Sequence, residues 1–242
     1  IRDRKKTVRW VVGIVLGVYI GTIVLLNIPN IQQAMSVFVA EELSEVLNTK
    51  VVIGRINMGL LNRIIIDDVL LDDQSGQEML KVTRLSAKFD IMPFFKGKIS
   101  ISSVQLFGFN INLRKETPDS PPNFKFVLDA FASKDTVKKE NSLDLRINSI
   151  LIRRGRMSYH VLSEEETPGK FNAKHIQLQN IIANISLKAL SKDSLNLGIK
   201  RLSLDEKASG FSLKKMSLKL VANNKQTNID NFTIELPETS LK

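Results

Sequence analysis

The hydrophobic pattern changes character twice along the chain. Residues 10–40 carry no charge, and the seventeen residues Trp10–Leu26 are almost all Val, Ile, Leu and Gly. As a helix, such a run rises about 26 Å, close to the roughly 30 Å hydrocarbon core of a bilayer. The pattern predicts a membrane anchor over 10–28, with Asn27-Ile28 extending it. Pro29 ends that run. Asn30 is placed to cap a second helix over 30–48, in which Ile31, Met35, Phe38, Val39, Val46 and Leu47 form an apolar stripe. That helix is expected on the outer surface of the same membrane, or as a cap on the domain C-terminal to it.

From residue 50 to 242 the apolar period becomes two, the signature of strands. Val51-Val-Ile53 begins it. Arg63–Gly76 is an apolar run ending in a polar turn, and Lys81–Ile91 alternates loosely. Ile99 and Ile101, then Val104 and Leu106, then Phe107, Phe109, Ile111 and Leu113 alternate cleanly. The phase slips at Ser102-Ser103 and again at Leu106-Phe107, which predicts bulges or bends. The same grammar returns in Leu143, Leu145 and Ile147, then Ile150 and Ile152, then Met157, Tyr159 and Val161.

These stretches repeat. Ile101-Ser-Ser-Val104-Gln-Leu106 matches Ile147-Asn-Ser-Ile150-Leu-Ile152 at a shift of 46. Gly108 then matches Gly155 after one inserted residue. Shorter echoes follow at His175, Arg201, Lys215 and Asp230. A recurring strand unit predicts a mainly β, elongated and curved sheet that grows by adding strands, not a closed globule. One island interrupts it over about 123–132. Thr117–Pro122 is a loop, and Asn123 is placed to cap a short helix whose Phe124, Val127, Leu128 and Phe131 share one face. The helix either packs on the sheet or acts as a lid at one end of an apolar groove.

Charge sharpens the reading of the first forty residues. Arg2, Arg4, Lys5, Lys6 and Arg9 crowd the flank at 1–9, Trp10 sits at an interfacial position, and Glu41, Glu42 and Glu45 follow on the far side. Basic flanks stay cytoplasmic, so the N-terminus is expected inside and the bulk of the chain outside. A cleaved signal peptide would have a shorter apolar region and small residues before the cut, and Phe38-Val39-Ala40 is a poor site. Gly13, Gly17 and Gly21 lie on one helix face and form a small-residue surface on which a second membrane helix could pack.

Composition excludes more than it identifies. The 242 residues include no Cys and two His, with a net charge of +10. Thiolate metal sites, disulfides and thiol nucleophiles are absent, and histidine chemistry is hard to assemble. Phe95-Lys-Gly97-Lys98 lacks the upstream Gly of a phosphate loop, since Met92 stands there. Asp67-Asp68 and Asp72-Asp73 point to opposite faces of their strand and are expected to be solvated. His160 and His175 fall in alternating sequence, where surface or edge positions are expected. No enzyme, cofactor or metal is therefore expected. Nucleic acid is not expected either, because the basic residues are split between the membrane flank and polar strand faces, without an aromatic platform. The chain begins at Ile1 and stops just after a strand-like stretch, as the N-terminal part of something longer would.

Val51-Val-Ile-Gly54, the Asp-rich turn, Leu80-Lys-Val-Thr-Arg-Leu, Phe89-Asp-Ile-Met-Pro-Phe-Phe95 and Gly97–Gly108, all behind a single anchor, resemble the N-terminal part of the AsmA-like superfamily, in particular its TamB type. The resemblance is best over Ile14–Arg114. It implies an inner-membrane protein of diderm bacteria that projects a taco-like β-sheet with an apolar groove through the periplasm. It also implies phospholipid as cargo, an outer-membrane barrel of the TamA/BamA type as partner, and roles in outer-membrane protein assembly. The groove candidates read from the residues are Ile99, Ile101, Val104, Leu106, Phe109, Ile111, Leu113, Leu145, Ile147, Ile150 and Ile152. A scaffold that docks the barrel and carries no lipid is the alternative, and a closed β-sandwich adhesin is a third.

Overall fold

The computed structural model describes residues 2–59, 62–90, 99–132, 143–144, 148–190, 194–223, 225–238 and 240–241. Helix α1 (Arg2–Leu26) is followed after a two-residue turn by α2 (Pro29–Leu47). The stretch Arg9–Leu26 is long and apolar enough to cross a membrane, and none of it is buried in the protein. Such a length of exposed Val, Ile and Leu needs an apolar solvent or partner. Nothing lies within 4 Å of where a Cβ would stand on Gly13, Gly17 or Gly21, so that face is open. Lys6, Arg9 and Trp10 are exposed at its start, while the side chains of Arg2, Arg4 and Lys5 lie outside the described residues.

The helix end is tied to the sheet by amides. Asn27 Nδ2 donates to Ile23 O (2.7 Å) and to Met58 O (2.8 Å). Gln32 Nε2 donates to Asn57 Oδ1 (2.6 Å) and to Asn27 Oδ1 (3.1 Å). These bonds tie the end of the first helix to the first strand and orient it there. Asn30 does not cap α2. Pro29 occupies the first turn, where its missing N–H costs nothing, and Ile28 precedes it with no side-chain cap.

Then come β1 (Val51–Gly59), β2 (Arg63–Asp72), β3 (Glu78–Phe89) and β4 (Ile99–Lys115). A crossover containing α3 (Lys125–Ala132) and β5 (Leu143–Asp144) leads to β6 (Ser149–Val161). The chain continues through β7 (His175–Leu190), β8 (Ser194–Glu206), β9 (Ser212–Asn223), β10 (Thr227–Glu235) and β11 (Ser240–Leu241). All belong to one curved, open sheet in the order β1-β2-β3-β4-β6-β7-β8-β9-β10-β11, with β5 on β4. Neighbours are antiparallel except β4 with β5 and β6, where parallel pairing needs the long crossover. Among the described residues, the strand backbones approach one another only as hydrogen-bonded neighbours, with α1 and α2 against β1. No second sheet lies on this one among those residues.

The parallel register explains the repeat. Val104 faces Ile150 and Leu106 faces Ile152, so the 46-residue shift is the offset at which β6 lies beside β4. The match of Gly108 with Gly155 is corrected by that register. Phe107 faces Arg153 and Asn110 faces Arg156, which places Gly108 opposite Arg154 and Phe109 opposite Gly155.

Both phase slips are real. Lys88 faces Ser103 while Phe89 faces Ile101, so Ser102 is the extra residue of a bulge. The second slip is a crease across the sheet. Asp68 on β2 (φ 56°), Gly108 on β4 (φ 63°), Arg154 on β6 (φ 55°), Asn180 on β7 (φ 54°) and Asn231 on β10 (φ 54°) are all left-handed. One such residue offsets the alternation by one position. Ile53 and Ile56, Ile66 and Val69, Val82 and Leu85, Leu106 and Phe109 therefore share a face although three apart. The crease is tight where Phe109 crosses β6. A Cβ on Gly155 would stand 2.4 Å from the Phe109 ring and 3.0 Å from Ile181 Cβ.

Candidate functional site: an uncovered apolar sheet face

Residues directly opposite in register share a face. Followed from strand to strand, Ile56 faces Ile66, then Leu85, Leu106, Ile152, Ala183, Leu202, Met216 and Ile234. This row crosses nine strands without a polar member. At about 4.8 Å per strand step it runs for about 38 Å, longer than a bilayer hydrocarbon core. A second row lies beside it: Met58, Ile64, Ala87, Val104, Ile150, Ile185, Ile199 and Leu218. Beyond the crease, Val51 faces Leu71, Leu80, Ile111, Met157 and Leu178 in turn.

The opposite face is polar and basic. Asp67 faces Arg84, which faces Phe107, which faces Arg153, and Lys81 faces Asn110, which faces Arg156. Arg84 Nε holds Asp67 Oδ1 at 2.6 Å, and Arg154 lies 5.1 Å over the Phe107 ring. Adjacent residues of one strand thus meet opposite surroundings, which is the two-sided pattern of a single-layer sheet.

Of the sequence candidates, Val104, Leu106, Phe109, Ile111, Leu113, Ile150 and Ile152 fall on the apolar face. Ile101 is half-buried opposite Phe89. Leu145 and Ile147 lie outside the described residues, as does the side chain of Ile99. Phe109 is buried against Val82 and Ile181, and the others are half-buried by their neighbours within the sheet. Ile66, Leu85, Leu202, Met216 and Ile234 belong to the same face and escaped the sequence reading. Their signal is the register, which follows from no single strand.

Among the described residues, the cover on this face lies at its β1 end. Met35, Val39, Ala40 and Leu43 of α2 pack on Val51, Ile53 and Ile56. The expected α2 stripe divides accordingly: Met35, Val39 and Leu47 turn inward, whereas Phe38 is 63 % exposed and Val46 also faces outward. Phe124, Phe126, Val127 and Ala130 of the α3 region pack on the same cluster. Leu128 does not join them and is 58 % exposed, because α3 turns Phe126 and Ala130 inward instead. The Phe131 side chain lies outside the described residues. Asn123 caps no helix: its Oδ1 accepts from Arg114 N (3.0 Å), and its Nδ2 donates to Asp73 Oδ2 and Asn112 O (both 3.1 Å). It latches the crossover to β4.

Asp73 is buried, contrary to the solvated end expected of it. Its Oδ1 accepts from Ser75 Oγ (2.6 Å) and the backbone N of Gln77 (3.1 Å), and its Oδ2 lies 2.6 Å from Arg114 Nη2. Burial pushes its carboxyl up, but bonds from Ser75, Asn123 and Gln77 outweigh it and hold the group below the usual carboxylate range. Together α2, α3, the β2–β3 turn and the end of β4 enclose a cleft of about 660 Å³. Glu206 on β8, opposite Leu178, is a second buried carboxylate. Burial raises it, yet Ser209 Oγ, Ser209 N, Gln177 N and Ala208 N bring it down to about 2.

Neither histidine lies on an edge strand, and His175 is buried where a surface or edge position was expected, while His160 is half-buried. They face each other across the interior pair β6 and β7, and His175 is 7 % exposed. No protein-family model matches the chain, and no curated protein matches it either.

Proposed function

We propose that this protein is a membrane-anchored conduit for phospholipid, with acyl chains lying on the apolar sheet face and headgroups in water. The observation that supports it most is the nine-strand apolar row, which no described residue of another layer covers from β4 onward. Full burial of a CH₂ contributes about 0.8 kcal/mol, so half-covering ten methylenes gives about 4 kcal/mol, roughly a thousandfold in occupancy. A row spread evenly over nine strands suits cargo that slides. The bonds from Asn27 and Gln32 to the end of β1 hold the row beside the membrane exit of α1.

The basic flank before α1 orients the N-terminus to the cytoplasm. The AsmA-like resemblance supplies the compartment and the partner: the inner membrane of a diderm bacterium, the periplasm, and an outer-membrane assembly barrel. On this reading the chain carries out no covalent chemistry. The test is native mass spectrometry of the full chain released from membranes in mild detergent. Bound phospholipid is the expected result. A folded protein free of lipid would replace the conduit by a scaffold that docks the barrel.

A further inference from the structure

On the polar face, at the strand ends farthest from α1, the β6–β7 loop closes over the two histidines. His160 Nδ1 lies 3.0 Å from His175 Nδ1 and 3.8 Å from Glu166 Oε1. One ligand atom from each of the three residues falls within 4.8 Å of the others. His175 Nε2 lies 2.9 Å from the carbonyl oxygen of Glu164, which can only accept. That nitrogen therefore carries the hydrogen, and the His175 Nδ1 lone pair is left pointing at His160 and Glu166. A second ring nitrogen fixed by a backbone carbonyl is the arrangement that orients metal-bound histidines.

We propose that His160, His175 and Glu166 form a binding site for a divalent transition metal ion, Zn²⁺ by its ligand set. Tetrahedral Zn²⁺ at about 2.0–2.1 Å from each nitrogen places two nitrogens about 3.3 Å apart, so the imidazoles need to part by a few tenths of an ångström. Glu166 is 63 % exposed on the loop and free to swing inward. Competing charge is already engaged: Lys174 Nζ holds Glu164 Oε2 at 2.7 Å, and Arg114, opposite His160, turns to Asp73. The three side chains would leave a fourth position for water. The site staples the loop of residues 162–174 to the outer face and lies on the side of the sheet away from the apolar rows, so it does not depend on lipid carriage.

The test uses the full chain in detergent, without a polyhistidine tag, titrated with Zn²⁺ against a chromophoric chelator. Saturable binding of one equivalent is expected, with X-ray absorption showing two imidazole nitrogens at about 2.0–2.1 Å. Glu166→Gln, at an exposed loop position, should weaken binding by about tenfold, and His160→Gln should abolish it. A chain that takes up no Zn²⁺ saturably, or that binds it equally well in both variants, overturns the site and leaves a plain histidine–histidine hydrogen bond.

Discussion

Leu106→Asp and Phe107→Asp place the same charge one residue apart on β4, but on opposite faces. Leu106 lies between Leu85 and Ile152 in the apolar row and is half-buried. Because no second layer covers it among the described residues, a carboxylate there can still reach water. The folding cost is then the lost half-burial of a Leu, about 1–1.5 kcal/mol. An acyl chain crossing the same point must strip that carboxylate of water, at several kcal/mol. That exceeds what four or five half-covered methylenes return, about 2 kcal/mol. Phe107 is exposed beneath the Arg154 guanidinium, where an added carboxylate meets a cation. The assay is phospholipid per protein, measured by mass spectrometry on full chains extracted from membranes, with a circular-dichroism melt as folding control. Leu106→Asp should lower retained lipid by at least about tenfold, the equivalent of 1.4 kcal/mol, and Phe107→Asp should leave it unchanged. A folded Leu106→Asp protein with full lipid, or equal loss in both variants, refutes the reasoning.

Two further predictions concern the sheet itself. Gly155→Ala drives a methyl group into the Phe109 ring at the crease, which should cost about 1–3 kcal/mol, or roughly 2–12 °C in Tm by calorimetry. Glu206 has a carboxyl lowered from 4.5 to about 2 in the folded chain, so its contribution is full above pH 4.5 and lost as pH falls through 2. Glu206→Gln should therefore be less stable than the parent at neutral pH, with the gap closing toward pH 2 in urea titrations. A constant gap across that range would assign the loss to packing instead of charge.

The apolar N-terminal helix and most strands were legible because their signals are local: an uncharged apolar run, and alternation of period two. The repeat at 46 residues was legible for the same reason, and it turned out to be a register. What escaped depends on residues brought together from afar. The crease uses Asp68, Arg154, Asn180 and Asn231 in left-handed conformations, and nothing in their types demands it beyond the tolerance of Asp and Asn for that region. Its sequence trace is the three-residue spacing of apolar positions, visible only once several strands are aligned. Asp73 looked solvated because its partners, Asn123 and Arg114, are supplied by the crossover and β4. The histidine pair depends on how the loop at 162–174 returns β7 to β6. Phe38 and Leu128 fit helical stripes as well as their buried neighbours do, and only the position of β1 decides which side of each helix is covered.

The most direct test of the central claim is site-specific photo-crosslinking in living cells, with the probe placed in turn at Leu85, Leu106, Ile152, Leu202 and Met216, and at Lys81, Arg84, Arg153 and Arg201 on the other side. An unbroken series of phospholipid adducts at the first five positions, and none at the last four, is the outcome the account requires. Adducts on both faces alike, or at no position beyond β3, would contradict it.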